Sequence, residues 1–230
     1  MLVMVGFVSQ KGGVGKSTLS RALATAVAAS KGNVKIADLD PQQHTLTRWK
    51  KRREENDAGP TIVVESYKSA ADAIDHASLD NQLLIIDAPP RASKCTLEIA
   101  RRADLVVQPT GPGVDDLDPA ILLFHELTRA GIPRENLVMA ICRVGSEAEE
   151  ELARRYVERA GYAVLSGSIS EKIAYRDAQN RDQALTETKQ KSLNERSDIL
   201  MSGLLGLITD RVKARVRASR NKGRKVGARG

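Results

Sequence analysis

The run Lys11-Gly12-Gly13-Val14-Gly15-Lys16-Ser17-Thr18, directly after the apolar segment Leu2–Val8, constrains this chain more than any other stretch. A phosphate-binding loop has the pattern G-x-x-x-x-G-K-[ST] and sits between a strand and a helix. Counting back from Gly15-Lys16-Ser17 puts its first glycine at position 10, which is Gln10, so the strict pattern fails. Next to that gap stands a second lysine, Lys11. The flanking context is the required one. Leu2–Val8 is a short apolar run, and Leu19, Leu23 and Val27 with their intervening alanines read as a helix ending near Gly32.

The residue types suit a polyphosphate. Gly12, Gly13 and Gly15 lack a Cβ and tolerate positive φ, so the loop can fold its N–H groups around the anion. Lys16 reaches the phosphates, the Ser17 hydroxyl is a ligand for Mg²⁺, and the helix that starts there points its positive end at the site. Two aspartates stand at the ends of later apolar runs. Asp38-Leu39-Asp40-Pro41-Gln42 follows the second, with Pro41 suited to a helix N1 position. Asp40 there is either a plain helix cap or a group that orients water for attack on the γ-phosphate. Ile85-Ile86-Asp87-Ala88-Pro89-Pro90 ends the fourth, where an aspartate is the usual second partner of Mg²⁺ in phosphate-loop enzymes.

Apolar runs alternate with helical patterns along the 230 residues. Strands are expected at Leu2–Val8, Val34–Asp38, Thr61–Glu65, Leu83–Asp87, Asp104–Pro109, Leu137–Cys142 and Ala163–Ser166. Helices are expected at 17–31, 41–55, 68–77, 93–102, 115–130, 146–160, 171–180 and 193–217. Unbroken stretches such as Leu83-Leu84-Ile85-Ile86 suit a parallel sheet covered on both faces. The predicted fold is α/β, a doubly wound, mostly parallel sheet of the P-loop NTPase kind, with ligands at the carboxyl ends of the strands. No apolar run is long enough to span a membrane, and, with Met1 leading straight into the first strand, no signal peptide is expected. Cys95 and Cys142 lack metal-ligand spacing and read as small packing residues in a reducing, cytoplasmic setting. His44, His76 and His125 form no constellation.

Charge is unevenly spread. Residues 211–230 hold nine of the 36 Lys and Arg residues and none of the 29 acidic ones, so the remainder carries 27 basic against 29 acidic groups. Residues 1–216 are therefore expected to form the nucleotide-binding domain and 217–230 a basic, disordered tail. Nearer the middle, Arg48, Lys50, Lys51, Arg52 and Arg53 surround Trp49, the only tryptophan, and are followed by Glu54 and Glu55. That run reads as a solvated helix face with i,i+4 pairs, as does Glu147–Glu151 with Arg154 and Arg155.

Together, Lys11–Thr18, Asp38–Gln42 and Ile85–Pro90 resemble the ParA/MinD family of deviant Walker A ATPases, most closely the short plasmid-partition ParA proteins. Asp104–Pro109, Pro112 and Asp116-Leu117 carry the likeness further, to roughly residue 210. The resemblance implies a slow ATPase that uses Mg²⁺ and is stimulated by a partner. Lys11 would be the signature lysine that contacts phosphate across a homodimer of two subunits and two ATP molecules. Lys16 would serve the phosphates of its own subunit, with Val14, Thr18 and the loop glycines around them. Ser17 would ligate the metal, with Asp87 behind a metal-bound water, and Asp40 would position the attacking water. Arg143 is a candidate adenine contact. Ala88 departs from the family, which usually has threonine there. The phosphate loop begins by residue 11, leaving no room for an operator-reading domain ahead of it, so non-specific binding to DNA is expected. The implied partners are nucleoid DNA and a centromere-binding, ParB-like adaptor. Lys172 and Arg176 lie where the family places DNA-contacting basic residues. The tail adds Arg211, Lys213, Arg215, Arg217, Arg220, Lys222, Arg224, Lys225 and Arg229. Three readings of that tail compete: DNA binding, membrane attachment as in MinD through Leu204, Leu205, Ile208, Val212 and Val216, and simple solubilisation. The absence of Phe and Trp from that apolar face speaks against membrane, so no membrane partner is expected.

Overall fold

The computed structural model describes residues 2–40, 43–77, 82–90 and 93–227, with residues 93 and 218–227 as backbone only. Among the described residues eight strands form the sheet: β1 (Val3–Phe7), β2 (Val34–Asp38), β3 (Val63–Ser66), β4 (Leu83–Asp87), β5 (Leu105–Thr110), β6 (Leu137–Val144), β7 (Ala163–Val164) and β8 (Ile169–Ser170). The helices between and after them are α1 (Lys16–Ala29), α2 (Thr45–Glu55), α3 (Ala70–Asp75), α4 (Ser93–Arg102), α5 (Val114–Arg129), α6 (Glu147–Arg159), α7 (Ile173–Asn180) and α8 (Lys191–Gly227). The strand order is β3-β2-β4-β1-β5-β6-β7, with β8 also on β6, and every pairing is parallel.

Alternation along the central strands divides the core into two layers. Val3, Val5, Phe7, Leu83, Ile85, Leu105 and Val107 face the side covered by α1, α2, α7 and α8. Leu84, Ile86, Val106 and Met139 face the side of α3 to α6. With both faces covered, a polar residue inside a central strand has no solvent to reach, which is why these runs are uninterrupted in the sequence.

Crossovers bring separate parts of the chain level. The chain leaves β1 for β2 and β3, then returns to lay β4 between β2 and β1. Phe7 pairs with Asp87 and Asp38 with Asp87, so the last residues of three adjacent strands stand side by side. Gly6 makes this close packing possible, because a Cβ there would lie 2.3 Å from Ile99 Cγ2 of α4.

β3 begins at Val63 rather than Thr61, β6 runs on to Val144 and β7 stops at Val164 rather than Ser166, and larger departures fall in three places. α2 begins at Thr45 rather than 41; Pro41 and Gln42 lie outside the described residues. The two-residue strand β8, too short to show a period, was not expected. α8 continues through the expected break at 217 to Gly227, since its Arg, Lys and Ala residues are good helix formers. Leu200, Leu204 and Ile208 of α8 are buried in the core, and Leu205 and Val212 pack against it. Of the apolar face considered for membrane, Leu204, Leu205, Ile208 and Val212 are therefore taken up by the domain itself, and Val216 is exposed. Among the described residues no helix is long and apolar enough to cross a membrane.

Candidate nucleotide site

The loop after β1 turns through two glycines with positive φ, Gly13 at 73° and Gly15 at 112°. At Gly15, the left-handed residue before α1, an L side chain would be strained. Ser9 ties the loop base, its hydroxyl accepting from the Lys11 amide and donating to the Lys11 carbonyl, both at 3.0 Å. Lys16 opens α1, is buried, and places Nζ 3.4 Å from the Lys11 carbonyl. Burial lowers its pKa, and Asp87 and Asp40 oppose that effect. A buried ammonium with two carboxylates nearby and a helix N-terminus beneath it is suited to an anion.

Asp87 ends β4 fully buried. Its two oxygens accept from Ser17 Oγ at 2.7 Å and Ser20 Oγ at 2.9 Å. Burial raises its pKa to about 6, against the pull of those hydroxyls. Ser17 and Asp87 offer hard oxygen donors that fit Mg²⁺. Among the described residues no three His, Cys, Asp or Glu side chains gather as a metal cage, as befits an ion bound chiefly through phosphates.

The two aspartates after β2 divide their work. Asp38 is buried and accepts from the amides of Asp40 at 3.0 Å and Leu46 at 3.3 Å, which anchors the loop and the first turn of α2. Asp40 is half-buried, accepts from the Gln43 amide at 3.2 Å and lines a cavity of about 320 Å³ together with Gly12, Lys16, Ser17 and Ala88. Asp38 thus does the capping, and Asp40 faces the space above Lys16. A second cavity of about 230 Å³ adjoins it across Gly13, Gly15 and Thr18. Arg143, Lys172 and Arg176 line that second space, alongside Cys142 and Tyr175. The paired spaces have the form of a phosphate compartment and a nucleoside compartment.

Lys11 is held from the far side of the sheet. Its Nζ lies 2.8 Å from Asp116 Oδ1 and also donates to the Asp115 carbonyl. Asp116 Oδ2 accepts from Arg143 Nη2 at 2.9 Å, and Arg143 itself adopts a left-handed φ of 60°. In the sequence Asp116 counts only as part of the family likeness, and nothing there signals the capture of a lysine 105 residues away.

The basic run around Trp49 is only partly a solvated face. Lys50 and Lys51 do pair with Glu54 and Glu55 at i,i+4. Arg53, however, is buried and forks onto Glu187 at 2.6 and 2.8 Å. Trp49 is buried between Arg21 and Arg53, each 5.3 Å from its ring centre, and its Nε1 donates to the Asp182 carbonyl. Arg52 pairs with Asp182 at 2.6 Å. This hub fixes α2, which follows Asp40, to the segment joining α7 to α8. On α6 the expected pairs form, but Glu150 also binds Arg196 of α8 at 2.7 Å.

The basic residues expected to contact DNA fall into two groups. Lys172 and Arg176 are exposed at the rim of the nucleoside compartment. Arg211, Lys213, Arg215 and Arg217 belong to α8, where Arg215 is engaged with Asp104 at 2.8 Å. Arg220, Lys222, Arg224 and Lys225 follow on its backbone, and Arg229 lies outside the described residues.

The model of the CobQ/CobB/MinD/ParA nucleotide binding domain matches residues 5–185. The chain belongs to that family. This family member is 31% identical over 131 residues to the maintenance of carboxysome distribution protein A of Gloeobacter kilaueensis, an alignment spanning 56% of this chain and 57% of that relative. Its fold is similar to MinD in the MinC:MinD cell division complex of Aquifex aeolicus, with a TM-score of 0.71 at 18% identity over 89% of this chain and 96% of that one. A putative plasmid partition protein of Borrelia burgdorferi bound to AMPPNP gives a TM-score of 0.70 at 17% identity, covering 90% and 99%.

Proposed function

We propose that this family member is a partition ATPase that hydrolyses ATP to ADP and phosphate with Mg²⁺, slowly and under stimulation by an adaptor. The observation that carries the reading is the presence on one loop of a buried lysine, Lys16, in the cavity that Asp40 lines, and of a half-exposed one, Lys11, paired with Asp116. Lys16 can serve only the phosphates of its own subunit. Lys11 stands at the outer edge, from where it can reach a nucleotide held by a second copy. The bound state is then a homodimer around two ATP molecules, in which Asp40 orients water and Ser17 with Asp87 holds the metal. Catalysis is positioning and charge stabilisation, as expected for phosphoryl transfer.

ATP favours the dimer, the dimer binds DNA without sequence preference, and hydrolysis releases it. Lys172 and Arg176 support this coupling, because they line the compartment next to the phosphate loop. Names of relatives attached to plasmid partition, carboxysome distribution and cell division support a role in positioning a cargo. Of these we assign plasmid DNA, through a ParB-like adaptor, in a nucleoid-associated, cytoplasmic protein. Arg143, Val14 and Thr18 complete the nucleotide contacts.

The test separates the two lysines. Lys16→Ala should abolish ATP binding in equilibrium dialysis, whereas Lys11→Ala should retain binding and lose ATP-dependent dimerisation and turnover. Equal loss of binding in both variants would remove the special role of Lys11.

A further inference from the structure

We infer that Arg21 of α1 is a positioning residue for hydrolysis, holding the start of α2 so that Asp40 stands at a set distance from Lys16 and Ser17. This rests on the proposed role of Asp40 and adds the residue that keeps Asp40 in step with the phosphate loop.

Arg21 lies one turn beyond Ser17 on α1, about 6 Å along the axis at about 1.5 Å per residue. Lys16, Ser17 and Arg21 therefore move as one rod. Ser20, the residue before Arg21, donates to Asp87 at 2.9 Å, so the rod is also tied to the end of β4. Arg21 reaches α2 instead. Its Nη2 donates at 3.1 Å to the carbonyl of Thr45, the first residue of α2. Its guanidinium carbon lies 5.3 Å from the centre of the Trp49 ring, one turn further along that helix.

Hydrogen bonds join Asp40 to that contact. Its carbonyl accepts from the His44 amide at 3.1 Å, and its Oδ1 accepts from the Gln43 amide at 3.2 Å. His44, next to Thr45, has a left-handed φ of 48° and gives α2 no side-chain cap. The first turn of α2 is held at two other points. Asp38 of β2 accepts from the Leu46 amide, and Arg21 of α1 donates to the Thr45 carbonyl. Asp38 sets that turn relative to the sheet. Of the two, only Arg21 sets it relative to the helix that carries Lys16 and Ser17.

Stability alone does not call for a guanidinium here. Arg21 is buried, and its Nε has no hydrogen bond among the described residues, an arrangement that costs free energy. Burial lowers its pKa to about 10, against the pull of Asp87, so the group stays charged at neutral pH. A methionine would fill similar space without burying a charge. What the guanidinium supplies is a donor long enough to cross from α1 to α2, at the turn that leads back to Asp40. In phosphoryl transfer the attacking water stands in line with the γ-phosphate, and a displacement of about 1 Å is enough to cost about a hundredfold in rate. On the proposed roles, Lys16 and Ser17 hold the phosphates and metal before the reaction begins. Loosening α2 therefore leaves ATP binding intact and slows the chemical step.

The experiment measures phosphate release by the full chain at saturating Mg-ATP, beside ATP affinity by equilibrium dialysis. Arg21→Met should lower kcat about 10- to 100-fold and leave the ATP dissociation constant within about twofold. Arg21→Gln, too short to reach the Thr45 carbonyl, should fall by the same factor, and it carries the test if Arg21→Met does not fold. Arg21→Lys, which can still donate to that carbonyl, should recover most of the rate. Val157→Ala opens a cavity in the core on the opposite face of the sheet; it should lose stability to urea and keep the wild-type kcat. In an Asp40→Ala background, Arg21→Met should lower the residual rate no further. Wild-type turnover in the Arg21 variants, a kcat in Val157→Ala as low as theirs, or an additive loss in the Asp40→Ala background overturns the inference. So does ATP affinity that falls in step with kcat, since Arg21 would then act on binding. Wild-type turnover in Asp40→Ala would refute the proposed role of Asp40 and this one with it. Loss of turnover in Asp40→Ala but not in the Arg21 variants would leave the role of Asp40 standing and remove that of Arg21 alone.

Discussion

Asp116 is the residue whose replacement tests the arrangement around Lys11 most directly. In the free subunit its carboxylate joins two cations, Lys11 at 2.8 Å and Arg143 at 2.9 Å. If Lys11 contacts a phosphate in a second subunit, its pair with Asp116 has to open first. The side chains are 40% and 21% exposed, so the pair belongs near the top of the range for exposed ion pairs, about 1 kcal/mol. A symmetric dimer opens two of them. Removing both beforehand is worth about 2 kcal/mol, or about thirtyfold in the dimer dissociation constant. Asp116→Asn takes away the charge, keeps the shape and can still accept from Arg143. Sedimentation velocity with a non-hydrolysable ATP analogue should show dimerisation about thirtyfold tighter, with the nucleotide-free protein unaffected. In a Lys11→Ala background the same substitution should have no effect. Weaker or unchanged dimerisation in Asp116→Asn would refute the reasoning, because it would mean that Lys11 keeps Asp116 when subunits associate.

Asp40→Ala should bind ATP normally and accumulate the ATP-bound dimer; wild-type turnover in a phosphate-release assay would sink the assignment of Asp40. Glu187→Gln leaves the buried Arg53 guanidinium without its counter-charge and should cost about 3 kcal/mol in urea unfolding. The double variant Arg53→Met/Glu187→Met should recover most of that loss, and a cost below about 0.5 kcal/mol in the single variant would show the pair to be unimportant. Burial pushes the Cys142 thiol up to about 12, so at pH 8 only about one molecule in ten thousand carries the reactive thiolate. Iodoacetamide should therefore reach Cys142 in the folded chain only after unfolding; labelling at the rate of a free peptide thiol would contradict its burial.

What the sequence made legible was local or periodic. β4 could be placed to the residue because it is an unbroken apolar run closed by an aspartate, as a parallel sheet buried on both faces favours, and β2 was placed by its own closing aspartate although Lys35 interrupts its apolar residues. Lys16, Ser17 and Asp87 were legible for the same reason: each stands at a fixed offset from a strand end. Long-range partners were not. Arg53 finds Glu187 134 residues on, and Lys11 finds Asp116 105 residues on. Neither pairing leaves a mark in the spacing of charges, whereas Lys50 and Glu54 do, being four apart on one helix. The start of α2 was misjudged because Asp38 caps it from eight residues away, at Leu46, not from the adjacent position that cap patterns recognise.

The level alignment of Phe7, Asp38 and Asp87 has a consequence for how the molecule matures. Side chains alternate along a strand, so sliding β4 by one residue would turn Asp87 to the opposite face, away from Ser17 and Ser20. A chain mispaired in this way would keep its lysines and its glycine loop, yet lack the carboxylate behind the metal. On the proposed roles, Mg²⁺-dependent nucleotide binding would report the register of the sheet. A ligand held by Lys16, Ser17 and Asp87 together would then favour the chains whose three central strands have paired in this register.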